Sequence, residues 1–160
     1  MDNRDSKTNE TPRFVVDVML GILARWLRRL GYDANYTNQR EDPELARVAR
    51  AERRVLLTRD RELAGRRGVR SLLIESTELA NQLVQVVSAY PLSEDPRQQR
   101  CSLCNTLLDT TSPEEVQAHV PPYVYRHHRQ FRRCPTCGRV YWQGTHWQNM
   151  QDRLRQLLGE

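Results

Sequence analysis

Three aspartates in the first half of the chain stand where short apolar runs give way to polar residues. Asp17 ends Phe14-Val15-Val16, Asp42 follows the weaker run Ala34-Asn35-Tyr36-Thr37 after a polar loop, and Asp60 comes just past Val55-Leu56-Leu57-Thr58. An unbroken run of β-branched and leucine residues suits a strand buried on both faces, as in a parallel sheet. Open parallel sheets bind ligands outside the carboxyl ends of their strands, so the three carboxylates are expected at one edge. Charges of one sign gathered there repel unless a cation or a raised pKa relieves them. A hard ion such as Mg²⁺ or Mn²⁺ favours oxygen ligands and keeps water for a phosphate substrate. Such a centre can activate water against a phosphodiester. Glu62 adds a carboxylate beside Asp60, and Arg25, Arg28, Arg59 and Arg61 could hold a nucleic-acid backbone. The plainer alternative makes each aspartate a helix cap worth about 0.5–2 kcal/mol. It is strong for Asp42, which Pro43 follows as a first helical residue, and weaker for Asp17 and Asp60.

A second chemistry lies in the other half. Cys101-Ser-Leu-Cys104 and Cys134-Pro-Thr-Cys137 form two tight thiolate pairs, the spacing of a tetrahedral structural zinc site. Two disulfides would need an oxidising compartment, and a thioredoxin-like redox pair would need a βαβ context that is absent around these cysteines. With cysteine at all four positions the ion is structural. Gly138 and Asn105 suit the left-handed position that follows such a knuckle. The 29 residues between the pairs imply an inserted hairpin or loop. His119, His127, His128 and His146 are spare; His127 and His128, amid Tyr123, Tyr125, Arg126 and Arg129, suggest a surface for RNA rather than a second metal site.

Positioning these groups takes two units. Residues 1–12 are polar and read as a disordered leader. Over 13–90 strands expected at 13–17, 33–37, 55–58 and 70–74 alternate with helices expected at 19–30, 43–54, 61–66 and 77–89, which predicts an α/β parallel sheet flanked by helices. Leu20, Leu23, Trp26, Leu27 and Leu30 give the first helix an apolar side, with Arg25, Arg28 and Arg29 on the other. Residues 91–96 carry two prolines and read as a linker. The second unit, 97–160, holds the cysteines and an amphipathic helix over 146–158 bearing Trp147, Met150, Leu154, Leu157 and Leu158.

Composition narrows the partners. The 160 residues carry a net charge of +5, and 24 of the 25 basic residues are arginine, whose flat five-donor fork matches phosphate. A GC-rich genome would enrich arginine as well. No window is apolar enough to span a membrane and no signal peptide opens the chain, so a soluble, cytoplasmic protein is expected.

Taken together, Phe14-Val15-Val16-Asp17-Val18-Met19-Leu20-Gly21, Leu23-Ala24-Arg25-Trp26-Leu27-Arg28, Leu30-Gly31-Tyr32-Asp33, Leu56-Leu57-Thr58-Arg59-Asp60, Cys134-Pro-Thr-Cys137-Gly138-Arg139-Val140-Tyr141-Trp142 and Gly144-Thr145-His146-Trp147 resemble the Mut-seven C-terminal RNase domain family over about residues 13–150. The resemblance implies a small PIN-like sheet with an appended zinc ribbon and a metal-dependent endoribonuclease. Asp17 and Asp60 match the family's acidic positions; Asp42 fits best as the third, with Glu44 or Glu41 as substitutes, and Glu62 as a fourth. The implied cofactors are structural zinc and catalytic Mg²⁺ or Mn²⁺, and the implied partner is RNA, with ribosomal and transfer RNA as candidates. Arg126, Arg129, Arg132 and Arg133 would grip it. Two alternatives stand beside this reading: a non-catalytic RNA- or ribosome-binding module, and a protein-binding regulator docking through the Trp147, Leu154 and Leu158 face.

Overall fold

The computed structural model describes residues 12–91 and 98–160, so most of the expected leader and linker lie outside the described residues. Four parallel strands, β1 (Arg13–Val16), β2 (Asp33–Asn35), β3 (Val55–Thr58) and β4 (Ser71–Leu73), form a sheet in the order β2-β1-β3-β4. Their side chains alternate between two cores. Phe14, Val16, Val55 and Leu57 face one, with Leu23, Leu27, Leu83 and Val86 from α1 (Gly21–Leu30) and α4 (Leu79–Ala89). Val15 and Leu56 face the other, with Leu45, Val48 and Leu63 from α2 (Asp42–Ala51) and α3 (Arg61–Ala64). Burial on both faces is why β1 and β3 read as unbroken apolar runs.

Helix starts depart from expectation in instructive ways. A single 3₁₀ turn, Val18–Leu20, separates Asp17 from α1. In α2 the cap is Glu41, Asp42 is already helical, and neither side chain caps the helix, so the expected Asp42 cap moves by one residue. Gly31 ends α1 as expected, at φ 111°, where its N–H reaches the carbonyls of Leu27 and Arg28.

The cysteines flank a second sheet, antiparallel in the order β5-β6-β7, of β5 (Asp109–Thr111), β6 (Phe131–Arg133) and β7 (Val140–Tyr141). The insertion between the knuckles carries the antiparallel β5–β6 pair, as an inserted hairpin would, but its connection is helical. It contains α5 (Pro113–Val116), a 3₁₀ turn and α6 (Pro122–His127), packed through Val116, Val120, Val124 and Phe131 into a small core of its own.

The last helix, α7 (Thr145–Leu158), returns to the parallel sheet. Leu154 is buried in its larger core, Met150 packs against that core, and Trp147 stacks on Trp26 with ring planes 5° apart. The face that a partner-docking helix would need is therefore used inside the chain. The Arg25, Arg28 and Arg29 side of α1 is likewise not wholly solvated, because α7 and the first knuckle cover it.

One polar cluster joins the two units at the amino ends of the strands. Arg54, 8% exposed, places Nη1 2.8 Å from Asp33 Oδ1 and 3.1 Å from the Phe14 carbonyl, while Asn105 Nδ2 donates to the same Asp33 oxygen at 2.8 Å. Burial alone would raise the Asp33 carboxyl; the hydrogen bonds from Arg54 and Asn105 outweigh it and hold the pKa below the ordinary 3.8. Its contribution to stability is therefore complete above the ordinary carboxyl range and lost as pH falls through the folded-state value. Arg54→Ala is expected to destabilise the fold by about 3 kcal/mol, the lower end for a buried pair since Asp33 keeps some exposure. Denaturant unfolding checks this, and Asp33→Asn should flatten the acid side of the stability profile.

Candidate active site and metal centre

Asp17 and Asp60 sit where the strand order reverses, since the chain leaves β1 towards β2 on one side and β3 leads to β4 on the other. The Asp17 amide extends the β1–β3 pairing by donating to the Leu57 carbonyl at 3.0 Å. Thr58, wholly buried at the end of β3, then links the two acids. Its hydroxyl donates to Asp17 Oδ2 at 2.7 Å and accepts the Asp60 N–H at 3.0 Å. Two hydrogen-bond lengths therefore separate Asp17 Oδ2 from the Asp60 backbone. Thr58 was missed as a site residue by sequence reasoning; a lone hydroxyl closing the run Val-Leu-Leu was the available signal.

The two carboxylates differ in environment. Asp17 is 5% exposed, and no arginine, lysine or histidine among the described residues lies within ion-pairing distance of it. It heads the 3₁₀ turn without capping it. Asp60 is exposed and does act as a cap, accepting the Leu63 N–H at 3.1 Å at the start of α3. Next to Asp17, Met19 and Ile22 are exposed apolar residues, and the Tyr36 hydroxyl donates to the Val18 carbonyl. Gly21 leaves room there for Tyr36, since a Cβ would lie 2.6 Å from its hydroxyl oxygen and would displace that side chain.

Among the other expected residues, Asp42 is half-buried at the start of α2, Glu44 makes surface ion pairs with Arg40 and Arg47, and Glu41 and Glu62 are exposed. Among the described residues, only the four cysteines bring three or more potential metal ligands together. Arg25, Arg59 and Arg61 are exposed, as are Arg126 and Arg129; Arg132 and Arg133 are half-buried, with Arg133 Nε donating to the Gly138 carbonyl. Arg28 does not join an RNA surface. It is 5% exposed, with Nε on the Ala34 carbonyl at 2.9 Å and Nη1 on the Ser102 carbonyl at 2.8 Å, because the first knuckle packs over it.

The four cysteine sulfurs lie within 4.8 Å of one another, positioned to bind one metal ion. Cys101 Sγ and Cys137 Sγ are 3.7 Å apart, which matches the edge of about 3.8 Å for a tetrahedron with zinc–sulfur bonds near 2.3 Å. The knuckles repeat one geometry. Asn105 N–H returns to the Cys101 carbonyl and Gly138 N–H to the Cys134 carbonyl, both at 2.9 Å, with Asn105 at φ 62° and Gly138 at φ 79° as expected. Burial pushes the Cys101 thiol up, but the Tyr141 hydroxyl and the amides of Cys104 and Leu103 bring it down to about 7. Desolvation and the neighbouring sulfurs push Cys104 up to about 12. Thiolates so close together need a divalent cation before all can ionise, which fits structural zinc. Four thiolates around Zn²⁺ leave a double negative charge, and Arg28 and Arg29 both lie in the field of Cys101. Arg29 is clamped between the rings of Tyr141 and Trp147, at 4.7 and 4.9 Å.

No helix among the described residues is long and apolar enough to cross a membrane. No curated protein and no solved structure matches the chain. A family model does, over residues 12–154, taking in both the linked acids and the cysteine centre. That match covers nearly the whole sequence, and the chain belongs to the Mut7-C RNAse domain family.

Proposed function

We propose that the chain is a metal-dependent endoribonuclease whose chemistry is centred on Asp17 and Asp60. The observation that carries this reading is the buried Asp17 carboxylate, which has the Thr58 hydroxyl beside it and, among the described residues, no cationic side chain within ion-pairing distance. A buried anion so poorly compensated costs free energy unless a cation joins it. Mg²⁺ and Mn²⁺ fit, because such ions bind through one or two carboxylates and fill their remaining positions with water and substrate phosphate. When bound, the ion would polarise water and offset charge on the leaving oxygen.

The chain's own part is positioning. Thr58 orients Asp17, and the turn into α3 presents Asp60 to solvent, where a phosphodiester can approach. Asp42 and Glu62 would supply further carboxylates to such an ion, with Glu41 or Glu44 as substitutes for Asp42. Arg25, Arg59 and Arg61 steer the RNA backbone, ribosomal and transfer RNA being candidates. The zinc ribbon aids RNA binding through Arg126, Arg129, Arg132 and Arg133, and the cytoplasm is the proposed compartment.

The capping bond of Asp60 favours a second reading, a non-catalytic RNA- or ribosome-binding module in which that acid serves its helix. Substitution separates the two. Asp17→Asn and Asp60→Asn should each reduce magnesium- or manganese-dependent RNA cleavage by about 100-fold or more while leaving the melting temperature nearly unchanged. Asparagine still caps, so lost cleavage in a folded Asp60→Asn protein cannot be laid to the helix; undiminished cleavage in both variants would remove Asp17 and Asp60 as the centre of the chemistry, and no cleavage by the unaltered chain would favour the binding module. Thr58→Val keeps the volume and should cost about 10- to 100-fold in rate through misplacement of Asp17.

Metal analysis should return about one zinc per chain. Chelation should lower the melting temperature and alter tryptophan emission, because Tyr141, whose hydroxyl is 3.1 Å from Cys101 Sγ, also holds Arg29 against Trp147. A chain that melts identically with and without chelator would rule out a structural metal.

A further inference from the structure

The insertion between the knuckles presents a surface that folding does not explain. Residues 116–151 contain no aspartate or glutamate, yet hold arginines at 126, 129, 132, 133 and 139. Within this stretch α6 turns Val124 inward to Val116, Val120 and Phe131, with Tyr125 packed against them. Tyr123, Arg126 and His127, spaced i, i+3 and i+4, share the opposite, exposed side. Tyr123 is 62% exposed, and its ring centroid lies 4.5 Å from that of His127 at 42°. Leaving a tyrosine so exposed gains little for stability, while Val124 beside it anchors the helix in the small core. An exposed aromatic pair with Arg126 on the same side, in a stretch that holds arginines and no carboxylate, is complementary to an unpaired base and its phosphates.

We propose that the outer face of α6 is a binding site for single-stranded RNA, which stacks a base on the Tyr123–His127 pair and sets its phosphates against Arg126 and Arg129. This rests on the RNA-directed reading above and deepens it: the substrate is held at unpaired nucleotides by the insertion, apart from Asp17 and Asp60. Duplex RNA hides its bases from such a platform and is a poorer ligand.

The test is binding of a labelled single-stranded 12-nucleotide RNA, and of the same strand in a duplex, to the zinc-loaded full chain without magnesium or manganese. Tyr123→Ala should weaken single-strand binding by about tenfold or more, the scale of one stacked base. Tyr123→Phe keeps the ring and should bind like the unaltered chain. Arg126→Gln and Arg129→Gln should each reduce the salt dependence by about one phosphate contact. Unchanged affinity in Tyr123→Ala, or equal affinity for strand and duplex, would overturn the proposal. The nuclease reading fails separately: an unaltered chain that binds through Tyr123 but never cleaves removes that reading alone. A cleaving chain indifferent to Tyr123→Ala removes the platform alone.

Discussion

The backbone of one residue, Ala34, shows what the two halves of this chain need from each other. β2 is an edge strand, so its outward N–H and C=O have no strand to pair with. Asn105 Oδ1 accepts the Ala34 N–H at 3.2 Å, and Arg28 Nε donates to the Ala34 carbonyl at 2.9 Å. Asn105 can do this because the knuckle holds it at positive φ, where glycine would sit without strain but without a side chain. The sheet edge is thus completed by the geometry of the cysteine centre. Arg28 secures the arrangement from the other side, reaching the Ser102 and Leu103 carbonyls while its own carbonyl accepts the Arg100 N–H.

This docking separates the two chemistries in space. The knuckle meets β2 at Asp33 and Ala34, near the strand's start, and Arg54 joins the same cluster just before β3. Asp17 and Asp60 lie past the opposite ends of β1 and β3, one strand length away, roughly 13 Å for four residues. A metal held by four cysteines at the amino side is saturated and distant from the acids, so its part is to brace the sheet that holds them. The stacked chain of Trp26, Trp147, Arg29 and Tyr141 gives it a second grip, on α1 and α7 together.

Much of this was legible beforehand, because the strongest signals were local. The apolar runs of β1 and β3, the glycine ending α1 and the paired cysteines each follow from a few neighbouring residues, and all stand where expected. The readings that changed depended on contacts between distant segments. Arg28 sits on the polar side of α1 by periodicity, and only the packing of residues 102 and 103 against it makes that side interior. The apolar face of α7 was visible, but not that its partner was the chain's own sheet. Topology led to the expectation that Asp17, Asp42 and Asp60 meet at one edge, but not to Thr58, which bonds the Asp17 carboxylate and the Asp60 backbone, since a buried threonine in a strand usually serves packing.

A charge argument ties the halves together. Net charge differs little between residues 1–90 and 91–160, at +3 and +2, yet the distribution does not. In the sheet unit acids and arginines alternate closely, with Arg59 and Arg61 flanking Asp60, so the attraction these arginines offer a polyanion is partly offset by the acids beside them. The 36 residues from 116 to 151 carry positive charge alone. An enzyme that must bring phosphate towards carboxylates faces repulsion at the point of chemistry, and holding the nucleic acid elsewhere on the surface offsets it. On the proposed nuclease reading, residues 116–151 meet that requirement without adding cations beside Asp17, where they would compete with a metal ion for the same oxygens.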